Sequence, residues 1–378
     1  MSDNKLKKIT GIDLPLKTIL LPALGLLILF VTGTFVDTDW YSAILSVILI
    51  SVVLSAVFHA EVVAHKVGEP YGTLILALAV TIIEVSLIVS IMFTEVGPGP
   101  STLARDTVFA AIMIIMTGMI GICLLVGGYK YKEQIFAKKG VSAALVALIA
   151  IATLALVLPN YTTSSTEGSY TNSQLIFVAI VSLILYFGFV SVQTLTHRDY
   201  FLPASEDVVN DSVAKDEEEE MHAPPPNVKT AVSSLIMLLL ALVSVVALSK
   251  KLAPKIESKI EAAGLPQSLV GIIVAGVILL PEGIAAYKAA RKNRLQTSLN
   301  LALGSALASI GLTIPAVAIV CITTNSTVTL GIDEKSTILL LLSLLTIIIS
   351  FSSGKTNILY GIVLLVIFAT YLFTTIVP

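Results

Sequence analysis

Charge is scarce in this 378-residue chain: only 13% of its residues are Asp, Glu, Lys or Arg. A soluble domain carries about a quarter. So few charges cannot cover a water-facing surface of this size, which excludes a soluble enzyme. The chain is also 56% apolar, which excludes disorder. A net charge of −2, with no basic stripe interleaved with aromatics, gives no footing for a nucleic-acid partner. The two cysteines, Cys123 and Cys321, sit inside apolar runs. They lack the spacing of a zinc site or a disulfide framework and read as packing residues. No HExxH pattern or nucleophile/base set is found, so no enzyme activity and no cofactor are expected. The start, MSDNKLKKIT, is not followed by a small-residue cleavage site. The first apolar stretch is therefore expected to remain as a span.

Long apolar runs take the place of charge. A helix needs about 20 apolar residues to cross the hydrocarbon core. The runs give eleven spans, near 16–33, 40–64, 71–93, 107–128, 141–158, 174–196, 230–249, 266–286, 298–323, 337–351 and 356–376. The tenth is the shortest, and ten spans is the alternative. The expected fold is an all-α polytopic membrane protein, multi-pass in the bacterial inner (plasma) membrane, with its partner the lipid bilayer. Placing the N-terminus in the cytoplasm puts 17 of the 23 Lys and Arg residues on the inside, as the positive-inside rule asks. Lys130, Lys132, Lys138 and Lys139 form one strong inside loop. Lys288, Arg291, Lys292 and Arg294 form the other. Lys250, Lys251, Lys255 and Lys259, read as an outside loop after the seventh span, violate the rule.

The halves are related in design. Residues 1–37 form the N-terminus and first span. Residues 38–197 hold five spans, 198–228 an acidic cytoplasmic linker, and 229–378 five more spans. The linker carries the acidic run 217–220 and Pro224, Pro225 and Pro226; such a composition buries too little apolar surface to order itself. Five spans per half make the second half insert upside down, the common plan of secondary transporters. The third span is entered through Gly68, Glu69 and Pro70, the eighth through Gly264, Leu265 and Pro266. Each then contains one glutamate, 16 residues after the glycine in one half and 18 in the other.

Of 25 acidic residues, three fall within spans: Glu61, Glu84 and Glu282. A charge at the bilayer centre costs on the order of 3 kcal/mol even on lenient scales. Every Lys and Arg is expected in a loop or at a span end. A buried acid there is protonated or holds a cation. Glu84 and Glu282 are therefore the candidate cation and proton ligands, and the candidate metal site for transported ions. The plainer alternatives are a protonated, hydrogen-bonded Glu84 and a structural kink at Glu282. Pro281 removes a backbone N–H and frees the Val277 carbonyl at the depth of Glu282. Glu61 and His59 either snorkel and pack, or act as a relay. Asn300, Gly304, Ala308 and Gly311 form a small-residue stripe in the ninth span, and Ser305 and Ser309 an oxygen stripe. Both patterns also fit plain helix packing. Thr81, Val277, Asn300, Ser305 and Ser309 are the candidates for further ligands.

The segments HAEVVAHKVGEPYGTLILALAVTIIEVSLIVSIM and ILLPEGIAAYKAARKNRLQTSLNLALGSALASIGLTIP closely resemble bacterial calcium/proton antiporters of the ChaA type. These belong to the cation/calcium exchanger superfamily. The resemblance covers both halves and the acidic loop. The family motif, roughly GNAxE, falls on the residues ending in Glu84 and Glu282; the glutamates match and the Gly-Asn-Ala part does not. The resemblance places a second-span acid at Glu61 and its seventh-span partner at Glu257. It implies export of Ca2+, and also Na+ and K+, in exchange for H+, with inorganic cations and protons as partners. Two carboxylates meeting at the midplane would repel unless loaded, which would make exchange obligatory. A cation channel and a monovalent-selective Na+/H+ or K+/H+ antiporter are the alternatives, and a homo-oligomer is left open.

Overall fold

The computed structural model describes residues 14–31, 39–68, 71–92, 101–202 and 226–377. Most of the linker, and Lys5, Lys7, Lys8, Glu69 and Pro70, lie outside the described residues. All eleven expected spans are helices. In chain order they are α1 (Leu16–Val31), α2 (Asp39–Val67), α3 (Tyr71–Met92) and α4 (Leu103–Tyr131), α5 (Lys138–Tyr161), α6 (Asn172–Thr196). They continue as α7 (Val228–Ala262), α8 (Ser268–Arg291), α9 (Leu295–Thr324), α10 (Glu334–Ser350) and α11 (Ile358–Ile376). Among the described residues, eight helices are long and apolar enough to cross a membrane. α10 and α11 are separate helices, so the last two runs do not merge; α10, at 17 residues, is not among the eight.

The chain divides into two compact units that cut across the sequence halves. Unit 1 is Met1–Val96 with Ala223–Gly264, and unit 2 is Gly97–His222 with Leu265–Pro378.

Unit 1 holds α1, α2, α3 and α7. α2 and α7 pack extensively, and each buries small and branched apolar residues, Val52, Val53, Ala56 and Ala60 on α2 and Ala241, Val245 and Leu248 on α7. The alanines let the backbones approach closely, as membrane helices require in the absence of a hydrophobic drive. α1 wedges against both: a side chain at Gly25 would meet Val52 at 3.1 Å and Leu248 and Ser244 at 3.4 Å. Gly68 and Gly264, the glycines that open the two related segments, have φ of +79° and +66°. The Gly68 N–H donates to the Ala64 carbonyl and the Gly264 N–H to that of Glu261. Each is a left-handed stop at a helix C-terminus, a conformation that favours glycine.

α7 corrects one expectation. Its span was expected to end near 249, with the lysines beyond it in a loop. The helix instead runs 35 residues, about 52 Å at 1.5 Å per residue, well beyond a core of about 30 Å. Lys250, Lys251, Lys255 and Lys259 therefore lie on helix. Leu252 and Ile260 are buried, so an amphipathic pattern carries the helix past the apolar run until Gly264 stops it. Lys251 Nζ donates to the Leu29 carbonyl at 3.3 Å, near the C-terminus of α1, where a cation is favoured.

Unit 2 holds the other seven helices around α4, whose apolar stretch is 83% buried. α8 packs on the first half of α4 and α11 on its second half. α11 approaches closely because Gly361 lies against the Leu125 backbone and Gly128 against Ile358. β1 (Glu133–Ile135) pairs antiparallel with β2 (Lys355–Asn357) just beyond that contact. At the opposite end the α9–α10 loop is clamped. Thr329 N–H donates to Ser101 O, Leu330 and Gly331 N–H to Gly168 O, and Ile332 N–H to Leu156 O. A Thr171/Gln174 capping box starts α6, satisfying donors that a helix start leaves free. α4, α5 and α6 each contain a π-helical turn, at Ile114–Met119, Thr153–Val157 and Val192–Thr196.

A Cβ at Gly361 would lie 2.5 Å from Leu125 N, so Gly361→Val is expected to cost about 1–3 kcal/mol of stability. Gly188 faces open space, and Gly188→Ala is expected to stay within about 0.5 kcal/mol of the parent. Thermal melting of the two purified variants in detergent checks the contrast.

Candidate functional site

In unit 1, Glu84 lies on α3 and is 3% exposed. Thr81, one helical turn earlier, is also buried, as are Ile83, Leu87 and Ile88. α3 packs on α2 and α7. A carboxyl and a hydroxyl thus sit one turn apart in an apolar setting.

The nearby residues of α2 divide into two roles. Pro22 in α1 has no N–H, so the Thr18 carbonyl, four residues earlier, lacks its helical donor. Ser55 Oγ donates to that oxygen at 2.8 Å, and His59 Nε2 lies 2.9 Å from it. A backbone carbonyl only accepts, so Nε2 is the protonated nitrogen in this contact. Ser244 of α7 donates to the Pro22 carbonyl at 2.8 Å. His59 and Ser55 therefore fasten α1 to α2, while Ser244 fastens it to α7. Glu61, two residues beyond His59, is exposed. Glu257 lies on the extension of α7 and is half-buried.

In unit 2, Glu282 lies on α8 directly after Pro281 and is half-buried. α8 runs beside α4 in register. A side chain at Gly271 would meet the Asp106 and Thr107 backbone at 2.8–3.0 Å. Twelve residues further along both helices, one at Gly283 would meet Met119 at 3.5 Å. That register sets Glu282 level with the end of the π-turn of α4. Here Thr117 Oγ1 donates to the Met113 carbonyl. π-turns inside α-helices are frequent at functional sites. Ser309 of α9 is buried and Ser305 half-buried. Gly304 borders open space. Ala110, Ala111, Ile112 and Ile115 are buried and apolar.

Asn300 is hydrogen-bonded at both ends of its amide. Its Nδ2 donates to the Phe201 carbonyl at 2.7 Å, and its Oδ1 accepts from Gln296 Nε2 at 2.8 Å. It holds the turn Arg198–Phe201 that follows α6.

Three buried hydroxyls went unread in the sequence: Ser234 of α7, Thr107 of α4 and Thr313 of α9. Each is fully buried and its oxygen has no hydrogen-bond partner among the described residues. A helical Ser or Thr ordinarily satisfies itself on the carbonyl four residues back, so nothing in an apolar run marks these positions. Among the described residues no group of three or more His, Cys, Asp or Glu could hold a metal ion.

Apolar spanning helices, two left-handed glycine stops and one acid on each following helix fit a multi-pass membrane transporter. The chain belongs to the sodium/calcium exchanger protein family, which it matches over residues 38–195 and 233–377. The unmatched stretch between these is the acidic linker and its flanks. The sodium-potassium/proton antiporter ChaA of Escherichia coli is 36% identical over 94% of this chain and 95% of its own length. A putative ionic transporter of Sinorhizobium fredii, y4hA, is 43% identical over 88% of this chain and 87% of its own. Among solved structures, that of native YfkE has a TM-score of 0.69 at 17% identity, covering 96% of this chain and all of the other. The crystal structure of an H+/Ca2+ exchanger, CAX, has the same TM-score and identity, over 94% of this chain and 87% of the other. At that identity the structures establish the shared fold. The family resemblance read from the sequence is thereby established.

His59 holds a proline-freed carbonyl, so His59→Ala is expected to lower stability by about 1–3 kcal/mol while leaving the pH profile of exchange in place. Thermal melting alongside pH-dependent transport checks this; a shifted profile at unchanged stability would return His59 to a relay role.

Proposed function

We propose that this protein is a cation/proton antiporter that exports Ca2+, and also Na+ and K+, in exchange for H+, with Glu84 and Glu282 as the carriers. One observation carries the reading. In each repeat a glycine held at positive φ ends one helix, and the next helix carries a glutamate, on α3 and α8. The E. coli relative is named a sodium-potassium/proton antiporter. One from Aphanothece halophytica, 26% identical, is named a Ca(2+)/H(+) antiporter.

A carboxyl in a low-dielectric setting resists ionisation unless a cation sits beside it. The two glutamates therefore alternate between protonated and cation-loaded. Ca2+ takes about 6–8 oxygens. Two bidentate carboxylates give four. In unit 1, Thr81 offers a hydroxyl one turn from Glu84; in unit 2, the Val277 carbonyl, freed by Pro281, and Ser305 and Ser309 of α9 offer further oxygens. Asn300 takes no part, because its amide is used by Phe201 and Gln296. Glu61 and Glu257 are assigned to the path between this site and water, as they lie on α2 and on the far extension of α7. Loading with cation or with protons favours inward- or outward-facing states by its difference in affinity for the two. The protein sits in the bacterial inner membrane with its N-terminus inside, which puts the loops at 130–139 and 288–294 in the cytoplasm.

A monovalent-selective antiporter is the second reading. The E. coli relative, more similar in sequence than the calcium relatives, favours it.

In everted membrane vesicles, Glu84→Gln and Glu282→Gln are each expected to reduce cation-induced proton release at least tenfold, for Ca2+, Na+ and K+ alike. Full activity in either variant would overturn the site assignment.

A further inference from the structure

At the end of unit 2 opposite the β1–β2 pair, the first turns of α4, α8 and α10 and the last turn of α11 enclose a cavity of about 290 Å3. Arg105, Asp106, Ser268, Asp333, Lys335 and Tyr371 are among its lining residues. Two of its charges are satisfied. Arg105 Nε lies 2.8 Å from Asp106 Oδ1, and Arg105 Nη1 donates to the Gly331 carbonyl at 3.1 Å. Thr102 donates to the other Asp106 oxygen at 3.2 Å.

Three groups are left over. Lys335 Nζ donates to the Thr374 carbonyl at 2.8 Å and meets no carboxylate among the described residues. Asp333 is exposed at the start of α10, makes no capping bond with its side chain and meets no basic group among the described residues. Tyr371 is 5% exposed, and its hydroxyl has no hydrogen-bond partner among them.

A simple cation would be opposed by Arg105 and Lys335, and a simple anion by Asp106 and Asp333. A zwitterion satisfies both leftover charges at once. The cavity also lies where four helices reach the end of their apolar length, the level of lipid headgroups. Further along α10, Ile338 is 65% exposed, Leu341 54% and Leu342 45%, an apolar surface on which acyl chains can lie. A soluble zwitterion would have no use for that surface.

We infer that this cavity binds the headgroup of a zwitterionic phospholipid with a primary amine, phosphatidylethanolamine. Its phosphate takes hydrogen bonds from Lys335 and Tyr371, and its ammonium donates to Asp333. A quaternary choline headgroup has no N–H to donate, and a glycerol headgroup has no cation. The site stands apart from Glu84 and Glu282, so its test reads binding and not transport.

Native mass spectrometry of the full chain, loaded in detergent with equal amounts of phosphatidylethanolamine, phosphatidylcholine and phosphatidylglycerol, tests it. One phosphatidylethanolamine is expected to be retained in preference to the others. Asp333→Asn and Lys335→Met, each removing one charge-assisted bond, are expected to cut that preference about tenfold. Glu84→Gln and Glu282→Gln are expected to keep it. Equal retention of the three lipids, a preference unchanged in both Asp333→Asn and Lys335→Met, or displacement by soluble phosphoethanolamine as readily as by the lipid would overturn the proposal. Asp333 is exposed, so Asp333→Asn remains informative if Lys335→Met does not fold.

Discussion

In hydrocarbon, every backbone and side-chain polar group must find its partner inside the protein, because no water will supply one. That constraint explains most of what is polar in this chain. Pro22 removes one donor from α1, and Ser55 and His59 of α2 take its place on the Thr18 carbonyl. Lys251 reaches Leu29 near the end of α1. Asn300 satisfies the carbonyl of Phe201. These bonds fasten helices and turns to one another, while His59 Nδ1 stays buried without a hydrogen-bond partner among the described residues. The carboxyl groups of Glu84 and Glu282 sit under the same constraint. A carboxyl has one further way to meet it, by exchanging a proton for a metal cation. An exchanger needs that choice.

The repeats are expressed in details that unit boundaries do not follow. α2 and α7, the first helix of each repeat, pack together in unit 1. Each ends on a glycine in the left-handed region. The helix that follows carries the acid in both cases, on α3 in unit 1 and on α8 in unit 2. α1 belongs to neither repeat, yet it hydrogen-bonds to both α2 and α7. It ties the two first helices into one body.

Much of this was legible in the sequence, because length and apolar content alone specify a spanning helix. The eleven apolar runs coincide with helices α1 to α11, and Gly68 and Gly264 are marked in the sequence by their spacing to the acids. Glu84 and Glu282 stood out as acids among apolar neighbours. The overrun of α7 was hidden because lysines suggest a loop; only the spacing of Leu252 and Ile260 marks continued helix. The π-turn of α4 has no sequence signature, since it depends on how α8 and α11 pack against that helix. The clamp role of His59 depended on a carbonyl 41 residues away. Asn300 looked like a ligand because its spacing placed it on the small-residue stripe of α9. One of its partners is Gln296, four residues earlier on α9, and the other is Phe201 in the turn after α6, which no periodicity reveals.

Central to this account is that cation movement and proton movement are one process. Purified protein in proteoliposomes, with an imposed pH gradient and equal Ca2+, Na+ or K+ on both sides, tests that directly. The account predicts that the gradient drives cation accumulation above its starting concentration, and that dissipating the gradient with a protonophore releases it. A cation that only equilibrates down its own gradient, whatever the pH difference, would contradict it.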